Sequence, residues 1–346
     1  MVVRKRKSRK KKSSGAAAIL LAILLVALLT GAAAVWLVFV PFGPQSETFV
    51  EIPPGSTTSQ IGRQLENSGI VRSRYAFDLV RIWKRGTLKA GEYRFDQPVL
   101  LADVYQRIAR GDVYTKTVVI PEGACIFDIA ERLEQAGLGT RKDFLVAAVG
   151  QVGLVADLDP RATSLEGYLF PDTYRFPRKA TAAQIAATMV RRFRTVAGQI
   201  GLKENLHQVV TMASVIERET AVDAERPLVA SVFINRLARG MPIMSDPTLI
   251  YGLEIQGRWR GVIHQSDLAD NTPFNTYLHA GLPPSPISNP GIKSLKAAIS
   301  PAKTDYLYFV ARGDDPQGGS VFATTLEEHN HNVAGYRHAM KKAGGR

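Results

Sequence analysis

Apolar and polar positions divide the chain into stretches of different period. From Ala16 to Val40 no charge interrupts an apolar run, and about 20 such residues are enough to cross a bilayer core. After Pro41, Gly43 and Pro44 the pattern becomes that of a small mixed domain. Phe49 to Ile52 predicts a strand, Pro53, Pro54 and Gly55 a turn, and the residues around Ile61 and Leu65 a helix that stops at Gly69. Tyr75 to Trp83 predicts a second helix, Ala90 to Phe95 a strand, and Leu101 to Ile108 a third helix. Val118 to Leu138 then repeats Val50 to Ile70. Val118, Ile120, Pro121, Gly123, Ile129, Leu133, Glu134 and Gly137 match Val50, Ile52, Pro53, Gly55, Ile61, Leu65, Glu66 and Gly69. One strand–turn–helix unit is used twice, too few copies for a solenoid; its prolines and glycines are turn chemistry.

Helical spacing dominates the second half. Ala182 to Val196 reads as an amphipathic helix with Arg191, Arg192 and Arg194 on a solvated face. Val209, Met212, Ala213 and Ile216 recur at i, i+3, i+4 and i+7, one buried face. A second helix follows: Pro227 suits its first turn, Val229, Val232, Phe233 and Leu237 form its stripe, and Gly240 ends it. The two make a helical hairpin. Ser245 to Thr248 predicts a turn into an apolar stretch ending at Tyr251. Gly281 to Gly291 holds four prolines, so it is an irregular loop, either functional or poorly ordered. Leu295 to Ile299 predicts a helical turn and Tyr306 to Ala311 a strand.

Length and charge refine this picture. A chain of 346 residues implies two or three domains. Its net charge of +13 is uneven, because eight of the basic residues lie between Arg4 and Lys12. That cluster abuts the apolar run, so it marks the cytoplasmic end of a membrane span rather than a nucleic-acid surface. A cleaved signal peptide is the rival reading, with Ala32 to Ala34 as its cleavage site. The single cysteine, Cys125, excludes an intrachain disulfide and a cysteine-based metal site. His329 and His331 lack an evident third ligand, so no metal is expected, and no cofactor. No HExxH or GxSxG pattern supports a peptidase.

The candidate chemistry sits where the first hairpin helix runs into Glu217, Arg218, Glu219 and Thr220. Carboxylates at the end of an apolar helix are costly unless paired or protonated. The two acids lie about 200° apart on a helix, so one cleft cannot receive both equally. Nearby, the run LEGYLFPDTY holds Glu166, Tyr168, Phe170, Asp172 and Tyr174, which are either a sugar-site wall or a turn with core aromatics.

The runs ASVIERETAVDAERPLVASVFINRL, SDPTLIYGL, FNTYLHAGLPPSPISNPG and YLYFVAR resemble the endolytic murein transglycosylase family, the YceG-like proteins. The resemblance implies an α+β fold: an N-terminal transmembrane helix, a LysM-like α+β module, and an α+β catalytic domain whose helical hairpin carries the catalytic acid. The corresponding expectations are a basic cytoplasmic tail over 1–15, a transmembrane helix over 16–40, a linker over 41–47, a LysM-like module over 48–115 and a catalytic YceG-like domain over 116–346. The module is either a glycan binder or a spacer.

The activity implied is cleavage of peptidoglycan glycan strands by a single-pass inner-membrane enzyme with its catalytic domain outside the cytoplasm. Lytic transglycosylases use a single Glu. It protonates the leaving oxygen, the 6-hydroxyl of the muramic acid attacks its own anomeric carbon, and a 1,6-anhydro end results. Glu219-Thr220 falls where others of the class carry Glu-Ser, which makes Glu219 the catalytic acid and Glu217 the second choice, free to pair with Arg218, Arg226 or Arg236. Asn275, Tyr277, Asp246, Tyr251, Glu166 and Tyr168 are the implied substrate-binding residues. The partners implied are glycan strands, the membrane and peptidoglycan synthases. Where the family has a Gly-Gly-His run, Gly318 and Gly319 here precede Ser320. The alternatives are a muramidase, with Asp246, Glu166 or Asp172 as second carboxylate, and a non-catalytic wall-binding scaffold.

Overall fold

A computed structural model describes residues 13–313 and 319–344. The basic run from Arg4 to Lys12 and Gly318 lie outside the described residues. The chain divides into two compact units, Met1–Thr115 and Lys116–Arg346. Both are built of mixed helix and strand.

The first unit opens with helix α1 (Ser13–Phe39), whose segment Ala18–Phe39 is long and apolar enough to cross a membrane. Strand β1 (Thr48–Ile52), helices α2 (Thr58–Asn67) and α3 (Arg74–Lys84), strand β2 (Gly91–Phe95) and helix α4 (Leu101–Arg110) follow. The two strands are antiparallel, with Val50 opposite Tyr93. Alternation puts Val50, Ile52, Tyr93 and Phe95 on one sheet face, where Leu65, Phe77, Val104 and Ile108 of the helices close the core. Thr57 and Gln60 form a capping box at the start of α2.

The second unit runs through β3 (Thr115–Val119), α5 (Ile126–Gln135), α6 (Arg141–Gly150), β4 (Thr173–Pro177), α7 (Ala182–Gln199), α8 (Leu206–Glu219), α9 (Arg226–Ala238), α10 (Asp246–Ile255), α11 (Gln265–Leu268), α12 (Ile292–Ile299), β5 (Tyr308–Ala311), β6 (Ser320–Ala323) and α13 (Leu326–Gly344). β3 pairs with β4, and β5 pairs antiparallel with β6. The repeat is real at the backbone level. Gly55 and Gly123 have φ of 79° and 78°, and Gly69 and Gly137 have 69° and 66°. All four are in the left-handed region that only glycine enters freely.

Two stretches gain detail. The apolar stretch from Ser245 to Tyr251, whose secondary structure the pattern left open, is helical: Ser245 precedes α10, in which Asp246 and Pro247 are the first two residues. Proline is tolerated there because the first-turn N–H groups have no helical partner. The four-proline loop is irregular yet packed inside the unit, with Ile287, Ser288 and Asn289 buried. Buried loop backbone needs partners: Ile287 N donates to Ser214 Oγ at 3.0 Å and Asn289 N to the Ala124 carbonyl at 3.0 Å, while the Asn289 side chain donates through Nδ2 to that carbonyl at 2.9 Å and accepts through Oδ1 from Leu169 N at 2.8 Å.

Candidate active site

α8 is packed along most of its length, with Val210, Ala213, Val215 and Ile216 fully enclosed. Its C-terminal end carries the two acids in opposite directions. The Glu217 side chain is 4% exposed and its Oε1 accepts from Nη2 of Arg226, itself 5% exposed, at 2.7 Å. Its Oε2 accepts from Gly291 N at 2.8 Å. Nη1 of Arg226 pairs with Asp223 at 2.6 Å and its Nε donates to Ser294 Oγ at 2.9 Å. Every polar atom of the Glu217 carboxylate is occupied, as a buried ion pair requires.

Glu219 faces the other way, toward the loop that enters α10. The Ser245 hydroxyl donates to its Oε1. Burial pushes the Glu219 carboxyl up to about 7; the Asp246 charge adds to the rise, while the Ser245 hydrogen bond and the Arg236 charge oppose it. The residue keeps part of its surface accessible, whereas Ser245 is buried.

The surroundings of Glu219 are held from several elements. Met244 has φ of 55°, a left-handed conformation unfavourable for a side chain with a Cβ, and its N–H donates to the Thr276 carbonyl at 3.1 Å. Such local strain is maintained by surrounding structure and concentrates at functional sites. Ser245 N donates to Thr276 Oγ1 at 3.0 Å. Tyr277 OH donates to Asp246 Oδ1 at 2.5 Å, bringing the 272–279 loop against the start of α10. Arg236, in the last turn of α9, donates through Nε to Leu307 O at 2.7 Å and through Nη1 to Ile243 O at 2.6 Å, with its guanidinium 5.3 Å from the Tyr308 ring centroid. Its positive charge is thereby fixed near an acid that becomes negative on losing its proton.

Of the residues singled out from the sequence, the structure gathers Glu219, Asp246 and Tyr277 in one place. It puts four others inside the protein. Glu166 is enclosed: its Oε2 accepts from Ile126 N at 2.9 Å and Tyr251 OH at 3.0 Å, and its Oε1 from Asn289 Nδ2 at 2.8 Å. Burial raises its carboxyl to about 8. Tyr168 is equally enclosed, its hydroxyl donating to Asp159 at 2.5 Å and its ring packed edge-on against Phe193. Tyr251 spends its hydroxyl on Glu166, and Asn275 spends its amide on the carbonyls of Leu268 and Asp270 at 3.0 and 2.8 Å. As folded, these four have no free surface for a sugar. Asp172 is ion-paired with Arg192 at 2.7 Å.

Sequence reasoning missed Ser245 as a partner of the acid and Arg236 as a charge beside it. Part of the signal for the first was present, because a Ser before Asp-Pro is a helix start; here that residue makes no side-chain cap bond, which leaves its hydroxyl for Glu219. Thr220 serves the turn after α8, accepting from Val222 N at 3.0 Å. Ser320 meets the same turn through its backbone, its N–H donating to Glu225 Oε1 at 2.6 Å. His329 stacks on Tyr308 at 5.1 Å. Among the described residues no group of three or more His, Cys, Asp and Glu is placed to hold a metal.

Comparison with known proteins gives this geometry a family. The chain is 32% identical over 302 residues to a Bacillus subtilis (strain 168) protein named endolytic murein transglycosylase, covering 81% of this chain and 82% of that one. It is 30% identical over 333 residues to a protein of the same name from Streptococcus pneumoniae serotype 2, covering 85% of this chain and 60% of the longer relative. Among solved structures it resembles a YceG-like protein of Listeria monocytogenes, with 32% identity and a TM-score of 0.54 over 83% of this chain and 99% of that one. The YceG-like family model matches residues 50–335, and the chain therefore belongs to the YceG-like family.

Proposed function

We propose that this chain is a membrane-anchored endolytic murein transglycosylase that uses Glu219 as its single acid–base group. The relatives' names supply the reaction class. The observation that carries the assignment to Glu219 is the contrast between the two acids of α8: Glu217 is fully occupied by Arg226 and Gly291, while Glu219 is raised to about 7 at an accessible edge. General acids work best with a pKa near the working pH.

The steps follow from the groups around Glu219. With Oε1 accepting from Ser245, the acid proton resides on Oε2, which is oriented by that same bond. The proton passes to the glycosidic oxygen as the C1–O bond of the muramic acid residue breaks. The resulting carboxylate is stabilised by the Ser245 hydrogen bond and the Arg236 charge, both of which favour the ionised form. It then takes the proton of the 6-hydroxyl as that oxygen bonds to C1, closing the 1,6-anhydro ring and restoring the acid. No water is consumed. Tyr277 and Asp246 line the same edge and contact the sugars. Helix α1 anchors the chain as a single span with the second unit on the non-cytoplasmic side, beside the glycan strands and the synthases that extend them. Cuts within nascent strands terminate their elongation.

A second reading draws on one observation: Asp246, the residue after Ser245, is close enough for its charge to raise the Glu219 carboxyl. In a muramidase it would serve as the second carboxylate. Mass spectrometry of murein digested with the purified chain separates the two. Anhydromuramic ends from internal cuts, absent with Glu219→Gln, are expected. Reducing ends alone would establish hydrolysis instead.

A further inference from the structure

Helix α3 is apolar on two adjacent faces, and only one of them is covered. Ala76, Phe77 and Val80 are buried in the core of the first unit. Tyr75, Leu79, Ile82 and Trp83 are 64%, 67%, 67% and 80% exposed. Their spacing of i, i+4, i+7 and i+8 sets them in one stripe roughly 100° wide. A contiguous exposed apolar stripe on a small domain marks an interaction surface, whereas scattered exposed apolar residues do not.

The edges of the stripe are cationic. Arg74 lies 4.6 Å from the Tyr75 ring centroid and donates to its hydroxyl at 2.6 Å; Lys84 lies 5.7 Å from the Trp83 ring centroid. Arg81 and Arg85 add two more positive charges in the last turn and at the cap, against Asp78 as the one acid of the helix. Aliphatic residues flanked by Trp, Tyr, Arg and Lys are the composition of helices that lie in a membrane interface.

The position of α3 points to the same partner. The end of α1 is built into the first unit: Leu37 and Val38 pack on its core, and α1 touches α3 and α4. Arg72 grips that end, donating to the carbonyls of Trp36, Val40 and Pro41 at 3.3, 2.7 and 3.1 Å. Its guanidinium also stacks 4.2 Å from the Trp36 ring and 4.7 Å from the Phe42 ring. A unit fastened this way to a spanning helix cannot leave the bilayer surface. A glycan is the other conceivable occupant, but sugar sites place hydrogen-bonding side chains among their rings. Here Leu79 and Ile82 stand between Tyr75 and Trp83 and offer none.

We propose that α3 is a membrane-interface helix, its Tyr75, Leu79, Ile82 and Trp83 face seated in the headgroup region of the bilayer that α1 spans. The proposal rests on the reading of α1 as an uncleaved anchor. With α3 seated, the first unit is pinned at two points, so it cannot swivel freely about α1.

The test uses the full chain in vesicles of phosphatidylcholine and phosphatidylglycerol, with and without brominated acyl chains. In a Cys125→Ser background, single cysteines carry an environment-sensitive fluorophore: Leu79→Cys, Ile82→Cys and Trp83→Cys on the stripe, Arg63→Cys on exposed α2, and Leu28→Cys within α1. All three stripe positions are exposed, so the fold tolerates the label. Brominated lipid is expected to quench most of the emission at 28, 79, 82 and 83 and little at 63. Quenching at 28 with none on the stripe overturns the proposal and leaves the anchor standing. No quenching at 28 overturns the anchor reading and the proposal with it. A stripe unquenched by lipid whose emission shifts on adding soluble glycan strands assigns the surface to sugar instead. Equal quenching at 63 and on the stripe also overturns the proposal, because the contact would then not be specific to this face.

Discussion

Glu219 and Glu217 differ by two positions in one helix and by nearly everything in environment. The pKa of Glu219 is raised by burial, so the acid is protonated below about 7 and ionised above it. A general acid acts in its protonated form, so the pH–rate profile should lose activity as pH rises through about 7, rather than near the ordinary Glu value of about 4.3. Ser245 contributes a hydrogen bond that favours the carboxylate. Ser245→Ala should therefore move the alkaline limb to higher pH; a shift to lower pH would mean that the bond serves the protonated form. Glu219→Gln should lower turnover by about 10²–10⁴-fold, the usual contribution of a general acid, with an unchanged melting temperature. Glu217→Gln should show the reverse balance. It leaves Arg226 buried with Asp223 as its remaining acidic partner, and breaking one side of a buried pair costs about 3 kcal/mol or more. Chemical denaturation should reveal that loss, with residual turnover per folded molecule near that of the parent chain. The reverse result for the two variants would transfer the acid role to Glu217.

Periodicity made the helices legible and the loops only partly so. The apolar stripe of Val209, Met212, Ala213 and Ile216 located α8, and Pro227 and Gly240 bounded α9, because each of these signals is local. The sequence offered Arg226 as one of three partners for Glu217, but which way the two acids face is fixed by Gly291 and Ser245, 74 and 26 residues away from them, and no local signal reports that. The LEGYLF run shows a different limit. The pattern left both a sugar wall and a turn with core aromatics open, and the structure takes the second, a buried network in which Asn289, Ile126 and Tyr251 all satisfy Glu166. Gly167 explains why that run must turn so tightly. Its φ is 87°, and a Cβ placed on it would lie 2.6 Å from the Pro286 side chain and 2.8 Å from that of Val210. Gly167→Ala thus forces both a left-handed alanine and a clash of its methyl group with the proline loop and with α8, at a combined cost of about 2–4 kcal/mol. Urea unfolding should show the midpoint falling with an unchanged slope. An unaltered midpoint would mean that the loop yields without cost, and that its packing does not hold α8 in place.

The two units have separate cores. Val50, Leu65, Phe77, Tyr93 and Ile108 close the first; Phe144, Tyr168, Met189, Phe193, Val215 and Phe233 are among the buried residues of the second. The repeated strand–turn–helix appears in both, but its strand finds a different partner each time, β2 in the first and β4 in the second. A repeat whose copies belong to different cores does not need its sister copy to fold. The groups gathered about Glu219, namely Ser245, Asp246, Tyr277 and Arg236, all lie in Lys116–Arg346, as do the buried acids Glu166 and Glu217. A domain with its own core and its own site should fold and react alone. The fragment 116–346 is therefore expected to give a cooperative thermal transition and to cleave murein in solution at a rate per molecule close to that of the detergent-solubilised chain. Circular dichroism and digest analysis measure the two properties independently. A cooperative fragment without activity would show that the first unit takes part in engaging the glycan. A fragment without a cooperative transition would show that the second core is incomplete without the first.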